Sequence, residues 1–470
     1  MSTLRTVGPL VVVGAGPAGS LLALYLAKRG HQVEVYESRP DLRTHSFDGG
    51  RSINLALATR GIVALREAGI ENEVAGITIR MIGRMVHSDG KPSLQRYGLQ
   101  DHEVIHSVNR RDLNAILLDA AENTGRVRFH FEHRLREVDL DGGSLRFTVG
   151  EETIDRQFGL VMGADGANSL VRAATIAAND GVVSEQPLDH GYKELTIAAG
   201  DDGEFRLDPN ALHIWPRGDF MLIALANPQK DFTATLFLPN EPGIAAAGGS
   251  FAELDSPVSI ETFFNREFPT FAALVPNLVE QFITNPTGTL STIRCRPWSH
   301  ADRSVILGDA AHAIVPFHGQ GMNAAMESAA ELVRHLDKES QDLAGALAAF
   351  SAQRKPDADA IADMALDNYV EMRAGVVDPS YLLKRELALE LQQRHPNRYA
   401  ARYGMVMFST IPYAEVAARA AAQAQILNTL TDGISSVDEV DFERAASLVS
   451  QLAPLPAAEF PAAPTAGDVS

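Results

Sequence analysis

Two segments of this 470-residue chain combine residue types and spacings suited to holding phosphate. Gly14-Ala15-Gly16-Pro17-Ala18-Gly19 fits the pattern G-x-G-x-x-G. In such a turn the first glycine permits the tight bend. The second lets backbone approach a pyrophosphate, and the third lets the following helix pack close to the strand. Glu37 follows at the end of the next apolar run, where an acidic side chain accepts hydrogen bonds from the ribose hydroxyls of an adenosine nucleotide. Residues 307–328, LGDAAHAIVPFHGQGMNAAMES, form a second strand–loop–helix junction, opening on Gly308-Asp309. A helix start of this kind also receives anions. Two such junctions so far apart in one chain suggest a single long dinucleotide held at both ends.

The elements needed to position these residues are legible nearby. An apolar run at 10–13 reads as a buried strand, 20–29 as a helix ended by Gly30, and 33–36 as the next strand. Further apolar runs at 127–131, 160–162 and 305–307 read as strands of the same sheet. Residues 190–240 alternate and are rich in aromatics, which points to antiparallel strands of a second sheet. Residues 330–450, rich in Ala, Leu, Glu and Arg, read as helices. The fold class is therefore α/β. A Rossmann-like domain is interleaved with an antiparallel-sheet domain and followed by a helical region.

Composition excludes several classes of function. The apolar fraction of 45% is that of a globular protein, and the net charge of −19 argues against nucleic acid as a partner. The single cysteine, Cys295, allows no internal disulfide and makes a cysteine-built metal site untenable, so no metal is expected. His312 lacks partners at ligand spacing and reads as a hydrogen-bonded loop histidine. The cluster Met405, Met407 and Phe408 reads as core. The first residues lack the layout of a signal peptide, and no apolar run is long enough for a transmembrane helix. A cytoplasmic protein without a membrane anchor is expected, as a monomer or homodimer. The Pro/Ala-rich residues 451–470 read as a disordered tail.

The fingerprint alone does not separate NAD from FAD. Two further motifs do: GADGANS at 163–169, followed by Val171-Arg172, and the junction at Asp309. Both recur in FAD hydroxylases of the para-hydroxybenzoate hydroxylase type, and a plain dehydrogenase requires neither. The chain also lacks a second dinucleotide fold for a resident nicotinamide. Longer stretches narrow the resemblance: GRSINLALATRG (50–61), GRMVHS (83–88), FEHRL (131–135), HGYKELTI (190–197), HIWPRGDFMLIAL (213–225), VPFHGQGMNAA (315–325), DNYVEMR (367–373) and YGMVMFS (403–409). Over about residues 8–425 the chain resembles the kynurenine 3-monooxygenases. Many members carry Phe at the position of His318 here. Eukaryotic members carry a membrane anchor after the helical region, where this chain has a polar tail.

The resemblance implies an FAD-binding domain from 1–80, 99–180 and 286–335, and a substrate domain from 81–98 and 181–285. A helical region at 336–450 would complete the fold. It implies that Gly14, Gly16, Ala18, Gly19, Glu37, Arg39, Ala56, Arg110, Leu135, Ser169, Asp309, Gly321, Met322 and Asn323 contact FAD. Arg84, Tyr97, Asn368 and Tyr403 would hold the amino-acid end of L-kynurenine. Phe237, Phe317, His318 and Met372 would line the ring pocket. Gln320 would face the substrate carbonyl, with His318 assisting proton movement. The segment 316–320 would lie between flavin and substrate. NADPH and O2 would serve as co-substrates, and a C4a-hydroperoxyflavin would place oxygen on the ring. Three other readings compete: a hydroxylase of a related aryl amino acid, an NAD-dependent dehydrogenase, and a non-catalytic flavoprotein.

Overall fold

The computed structural model describes residues 8–44, 54–88, 91–245, 248–339 and 341–456. The chain divides into two compact units. The first comprises Met1–Ile77, Val108–Pro187 and Ser291–Ala362; the second comprises Thr78–Ser107, Leu188–Leu290 and Asp363–Ser470. The helices from residue 363 onward thus group with the second sheet. Most of the tail reading, residues 457–470, falls outside the described residues, as do the first four residues of the 50–61 stretch.

The first unit is built on a six-stranded sheet. Its order is Ser299–His300, Ser304–Ile306, Leu160–Gly163, Leu10–Val13, Val33–Tyr36, Val127–His130. All neighbours are parallel except the first pair. A parallel sheet is covered on both faces, so its strands are continuous apolar runs rather than alternating ones. Leu10, Val11, Val12 and Val13 accordingly are all buried. The helix after the first strand runs Pro17–Lys28, starting inside the glycine motif rather than at residue 20. Proline suits that first turn because its missing N–H would have had no partner there. A three-stranded antiparallel sheet, Glu152–Gln157, Ser144–Val149 and Arg134–Asp139, adds to this unit.

The helix Gly321–Lys338 packs against Pro17–Lys28 and Thr59–Ala68. At that junction Glu327 accepts from Arg60 at 2.8 Å and from Arg354 at 2.9 Å. Both arginines are buried. Burial alone would raise the Glu327 carboxyl, but the charges of Arg354 and Arg60 outweigh it and hold it below the ordinary range. Glu327→Ala leaves Arg60 buried without its carboxylate, so a loss of about 3 kcal/mol or more in unfolding free energy is expected. The depressed carboxyl contributes fully above its unfolded pKa and loses that contribution as pH falls through its folded value. The gap between native and variant should therefore narrow in acid, as chemical denaturation at a series of pH values would measure. A gap independent of pH would contradict this origin.

In the second unit, residues 190–197 pair with Phe232–Pro239 in antiparallel register, from His190↔Pro239 to Ile197↔Phe232. Met221–Ala226, Ala211–Pro216, Gly83–Val86 and Ser93–Arg96 follow in that order. Gly83–Val86 joins in parallel, through Ala211↔Gly83. One core forms from Trp215, Phe220, Phe232, Phe264, Phe268 and Phe271, with the helix Pro257–Glu267 closed at its start by a Ser256/Ser259 capping box. A second core joins Leu387, Leu391, Tyr399 and Ile426 of the later helices. Met405, Met407 and Phe408 are buried, as expected of core. Among the described residues no helix is long and apolar enough to cross a membrane.

Candidate functional site

The sheet of the first unit sets the C-terminal ends of Val33–Tyr36, Leu10–Val13, Leu160–Gly163 and Ser304–Ile306 side by side. Each of the loops leaving these ends carries one of the sequence motifs. From Leu10–Val13 the chain passes to one neighbour, Val33–Tyr36, while the other neighbour, Leu160–Gly163, comes much later. This is a topological switch point, where open parallel sheets bind nucleotides.

The three glycines of the fingerprint do different work. Gly14 has φ +101°, and a Cβ there would lie 2.3 Å from the Ala164 carbonyl oxygen. A Cβ on Gly19 would lie 2.0 Å from the Gly14 carbonyl oxygen. A Cβ on Gly16 meets no atom within 4 Å, so the space beside this backbone is open. The turn is tied down by Asn114, which donates to the Ala15 carbonyl at 2.9 Å, and by Ser20 at 3.1 Å. The Ala15 amide donates to Glu37 Oε2 at 2.9 Å. Glu37 Oε1 accepts from the Arg39 amide and from Arg39 Nε, each at 2.9 Å. Burial alone would raise this carboxyl, but Arg39 and the two amides hold it below the ordinary range. Glu37 is therefore an anion with acceptor capacity left on Oε2 for a ribose hydroxyl.

The helices Pro17–Lys28 and Gly321–Lys338 both begin without a side-chain cap. Their leading amides are thus available to oxygen acceptors, as a long dinucleotide would supply. Ala18 is partly exposed at the first of them, Gly321 and Met322 at the second. A Cβ on Gly308 (φ +58°) would lie 3.2 Å from the Ala18 Cβ, so the two junctions are close neighbours. Arg39, Arg110 and Asp309 are exposed, ready for a ligand. Asp309 is reachable by solvent yet ringed by protein. Its poor hydration raises its carboxyl, with the Arg110 charge acting in the opposite sense. These groups fit FAD.

Other predicted site residues also make internal bonds or are buried. Ser169 donates to Asp165 and accepts from the Arg172 amide at 2.8 Å, capping the helix Leu170–Ala177. It has no proton left for a phosphate oxygen. Arg172 in turn donates to the Ala310 carbonyl at 3.0 Å, strapping the 163–169 motif to the Asp309 loop. Asn323 accepts from the Ala58 amide at 2.9 Å and donates to the carbonyls of Ala56 and Gly319 at 2.8 Å each. It staples the 315–321 loop to the strand Asn54–Leu57. Leu135 is buried opposite Phe147. Phe317, His318 and Gln320 are all buried. His312 sits in a four-residue helix with Nε2 3.2 Å from the Ser328 hydroxyl; burial, then Arg354, pushes its pKa down to about 3.

The second unit holds the predicted amino-acid clamp. Arg84, on Gly83–Val86, is 6% exposed. Its guanidinium carbon lies 4.9 Å from the Tyr403 ring centroid and 5.9 Å from that of Tyr97. The two tyrosine rings stack at 5.1 Å and 13°. Asn368 and Met372 are buried on the last turns of Leu343–Arg373, at i and i+4, and so share a helix face. Phe237 is buried on Phe232–Pro239, its ring 6.4 Å from Tyr192. Sequence reasoning missed Glu371, which lies on the same face as Asn368. Its Oε1 accepts from Arg84 Nη1 at 3.1 Å and from the Tyr381 hydroxyl at 2.7 Å, and its Oε2 from Arg402 at 2.9 Å. Burial would raise Glu371, but Arg84, Arg402 and Tyr381 hold it below the ordinary range. The only signal in the sequence was its place one turn from Asn368.

Residues 8–187 and 276–365 match the family described as FAD binding domain. The kynurenine 3-monooxygenase of Stenotrophomonas maltophilia (strain K279a) is 48% identical over 454 residues, covering 96% of this chain and 98% of that protein. That of Myxococcus xanthus (strain DK1622) is 44% identical over 451 residues, covering 95% and 96%. The chain belongs to the kynurenine 3-monooxygenase family. It is a flavoprotein monooxygenase with the fold of the FAD-dependent hydroxylases. Among solved structures, the tetrameric form of 2-methyl-3-hydroxypyridine-5-carboxylic acid oxygenase aligns with a TM-score of 0.62 at 19% identity, over 80% of this chain and 95% of that one. PqsL of P. aeruginosa, in complex with 2-aminobenzoylacetate, aligns at 0.61 and 23%, over 78% and 97%. At these identities the likeness is one of fold.

Proposed function

We propose that this protein hydroxylates L-kynurenine at ring position 3, using FAD as resident cofactor and NADPH and O2 as co-substrates. The observation that carries the reading is the buried Arg84, flanked by Tyr97 and Tyr403, in a chain close to half identical to kynurenine 3-monooxygenases over nearly its full length. FAD, reduced by NADPH, supplies the activation of O2 and the electrophilic oxygen.

The chain's own residues do the rest. Gly16 would admit the pyrophosphate, and Glu37 would hold the ribose. Asp309, Arg110 and the uncapped leading amides of Gly321 and Met322 would help hold the cofactor when it is bound. Arg84 offers a planar two-pronged donor to the substrate's α-carboxylate, and the hydroxyls of Tyr97 and Tyr403 complete its hydrogen bonds. Fixing that end orients the aromatic ring, which converts an encounter into a positioned reaction. Within the second unit, Phe237 and Met372 are buried apolar side chains suited to keeping water from an aromatic ring. The aniline nitrogen of the substrate activates the ortho carbon, so no acid–base dyad is needed.

The test is direct. Purified protein should be yellow and should oxidise NADPH faster with L-kynurenine than without it, and mass spectrometry should find the substrate heavier by one oxygen. Oxidation stimulated by another aryl amino acid but not by kynurenine would transfer the assignment to that compound.

A further inference from the structure

Resting on the substrate reading above, we infer that Glu371 receives the α-ammonium group of the substrate, making the clamp a receptor for the whole zwitterion and not for a carboxylate alone. An α-amino acid presents a cation and an anion on adjacent atoms. The second unit presents an anion and a cation just as close: Glu371 Oε1 and Arg84 Nη1, 3.1 Å apart. The pair is neutral, as is the zwitterion. Arg402, which also contacts Glu371, has a second carboxylate 3.6 Å away in Asp367. Arg385 is partly exposed and donates to the Arg96 carbonyl at the rim of the cluster.

The inventory of lone pairs points the same way. A carboxylate has about four acceptor positions, two on each oxygen. Glu371 Oε1 accepts two bonds, from Arg84 and Tyr381. Oε2 accepts one, from Arg402. One position on Oε2 is left for a donor. The side chain retains 14% of its exposure against 7% for Arg84, so a ligand atom can reach it. The Arg402 and Tyr381 contacts fix the carboxylate on two sides, which sets its direction before any ligand arrives. Its depressed pKa keeps it charged at neutral pH, as an ammonium partner requires.

The role differs from simply balancing Arg84, and the difference can be measured. Dissociation constants would be taken on FAD-loaded protein, by the perturbation of flavin absorbance, for L-kynurenine and for its des-amino analogue, the same aryl ketone on a plain carboxylate tail. Native protein should bind kynurenine about tenfold or more tighter than the analogue, as one charge-assisted hydrogen bond supplies. Glu371→Gln should weaken kynurenine about ten- to a hundredfold and change the analogue by less than about threefold, erasing the preference. Equal weakening of both ligands would mean that Glu371 only holds Arg84, and would overturn the inference. Should the variant fail to fold, the native comparison decides alone: equal affinity for the two ligands overturns it. Native protein that binds neither ligand would overturn the substrate reading and this inference together, a result distinct from loss of the preference.

Discussion

Arg84→Ala is expected to leave FAD bound and to raise the dissociation constant for L-kynurenine by about two orders of magnitude. A hydrogen bond to a charged group contributes about 1.5–3 kcal/mol, and a two-pronged guanidinium–carboxylate contact sits at the upper end, near a hundredfold. The fold should survive, because Glu371 keeps Arg402 and the Tyr381 hydroxyl as partners when Arg84 is gone. Arg84→Lys restores the charge without the planar fork and should recover only part of the loss, leaving affinity about tenfold below native. Flavin absorbance titrations, together with the flavin content and thermal midpoint of each variant, measure all three expectations. A kynurenine affinity within about threefold of native in the alanine variant would remove Arg84 from the clamp.

The second large effect separates two glycines of one motif. Gly16→Val should fold as native and lose FAD by about a hundredfold or more in affinity, because the added carbons occupy space that the protein itself leaves empty. Gly19→Ala should lose stability as well as flavin. Its Cβ would sit 2.0 Å from the Gly14 carbonyl oxygen, a backbone atom that cannot step aside without moving the turn. Far-ultraviolet circular dichroism with the ratio of flavin to protein distinguishes the two. A Gly16→Val protein that purifies with full flavin would contradict the pyrophosphate position.

What the sequence disclosed follows from where each residue is buried. The strands at 10–13 and 33–36 are legible to the residue because a doubly covered parallel sheet demands unbroken apolar runs. The helix start at Pro17 is hidden because a glycine turn and a first helical turn share the same residues. The sheet at 134–157 escaped notice because its strands are partly exposed and charged, as in Arg134–Asp139 and Glu152–Gln157. Its hairpin partners gave no apolar signal strong enough to mark it. Glu371 was passed over for a related reason. It lies in a charged stretch, Asp367 to Arg373, that reads as a solvated helix face, and its partner Arg84 is 287 residues away. The resemblance puts Ser169 and Asn323 at the cofactor, and the structure adds internal duties for both. Their side chains are spent on a helix cap and a loop staple, distinctions that only hydrogen-bond partners reveal.

The flavin half rests on backbone amides and three glycines with separate duties. The substrate clamp proposed above rests on a buried charge pair contributed by a strand and a distant helix. The proposed reaction calls on no acid–base dyad, because its electrophile would come from the cofactor and its activation from the substrate's own amine.

The most direct test of that assignment is the origin of the oxygen in the product. FAD-loaded protein would be incubated with NADPH and L-kynurenine under oxygen gas enriched in the heavy isotope, and the product analysed by mass spectrometry. The prediction is one heavy oxygen on the aromatic ring, ortho to the amine, in step with NADPH consumed. NADPH consumption that yields hydrogen peroxide and unchanged kynurenine would contradict it.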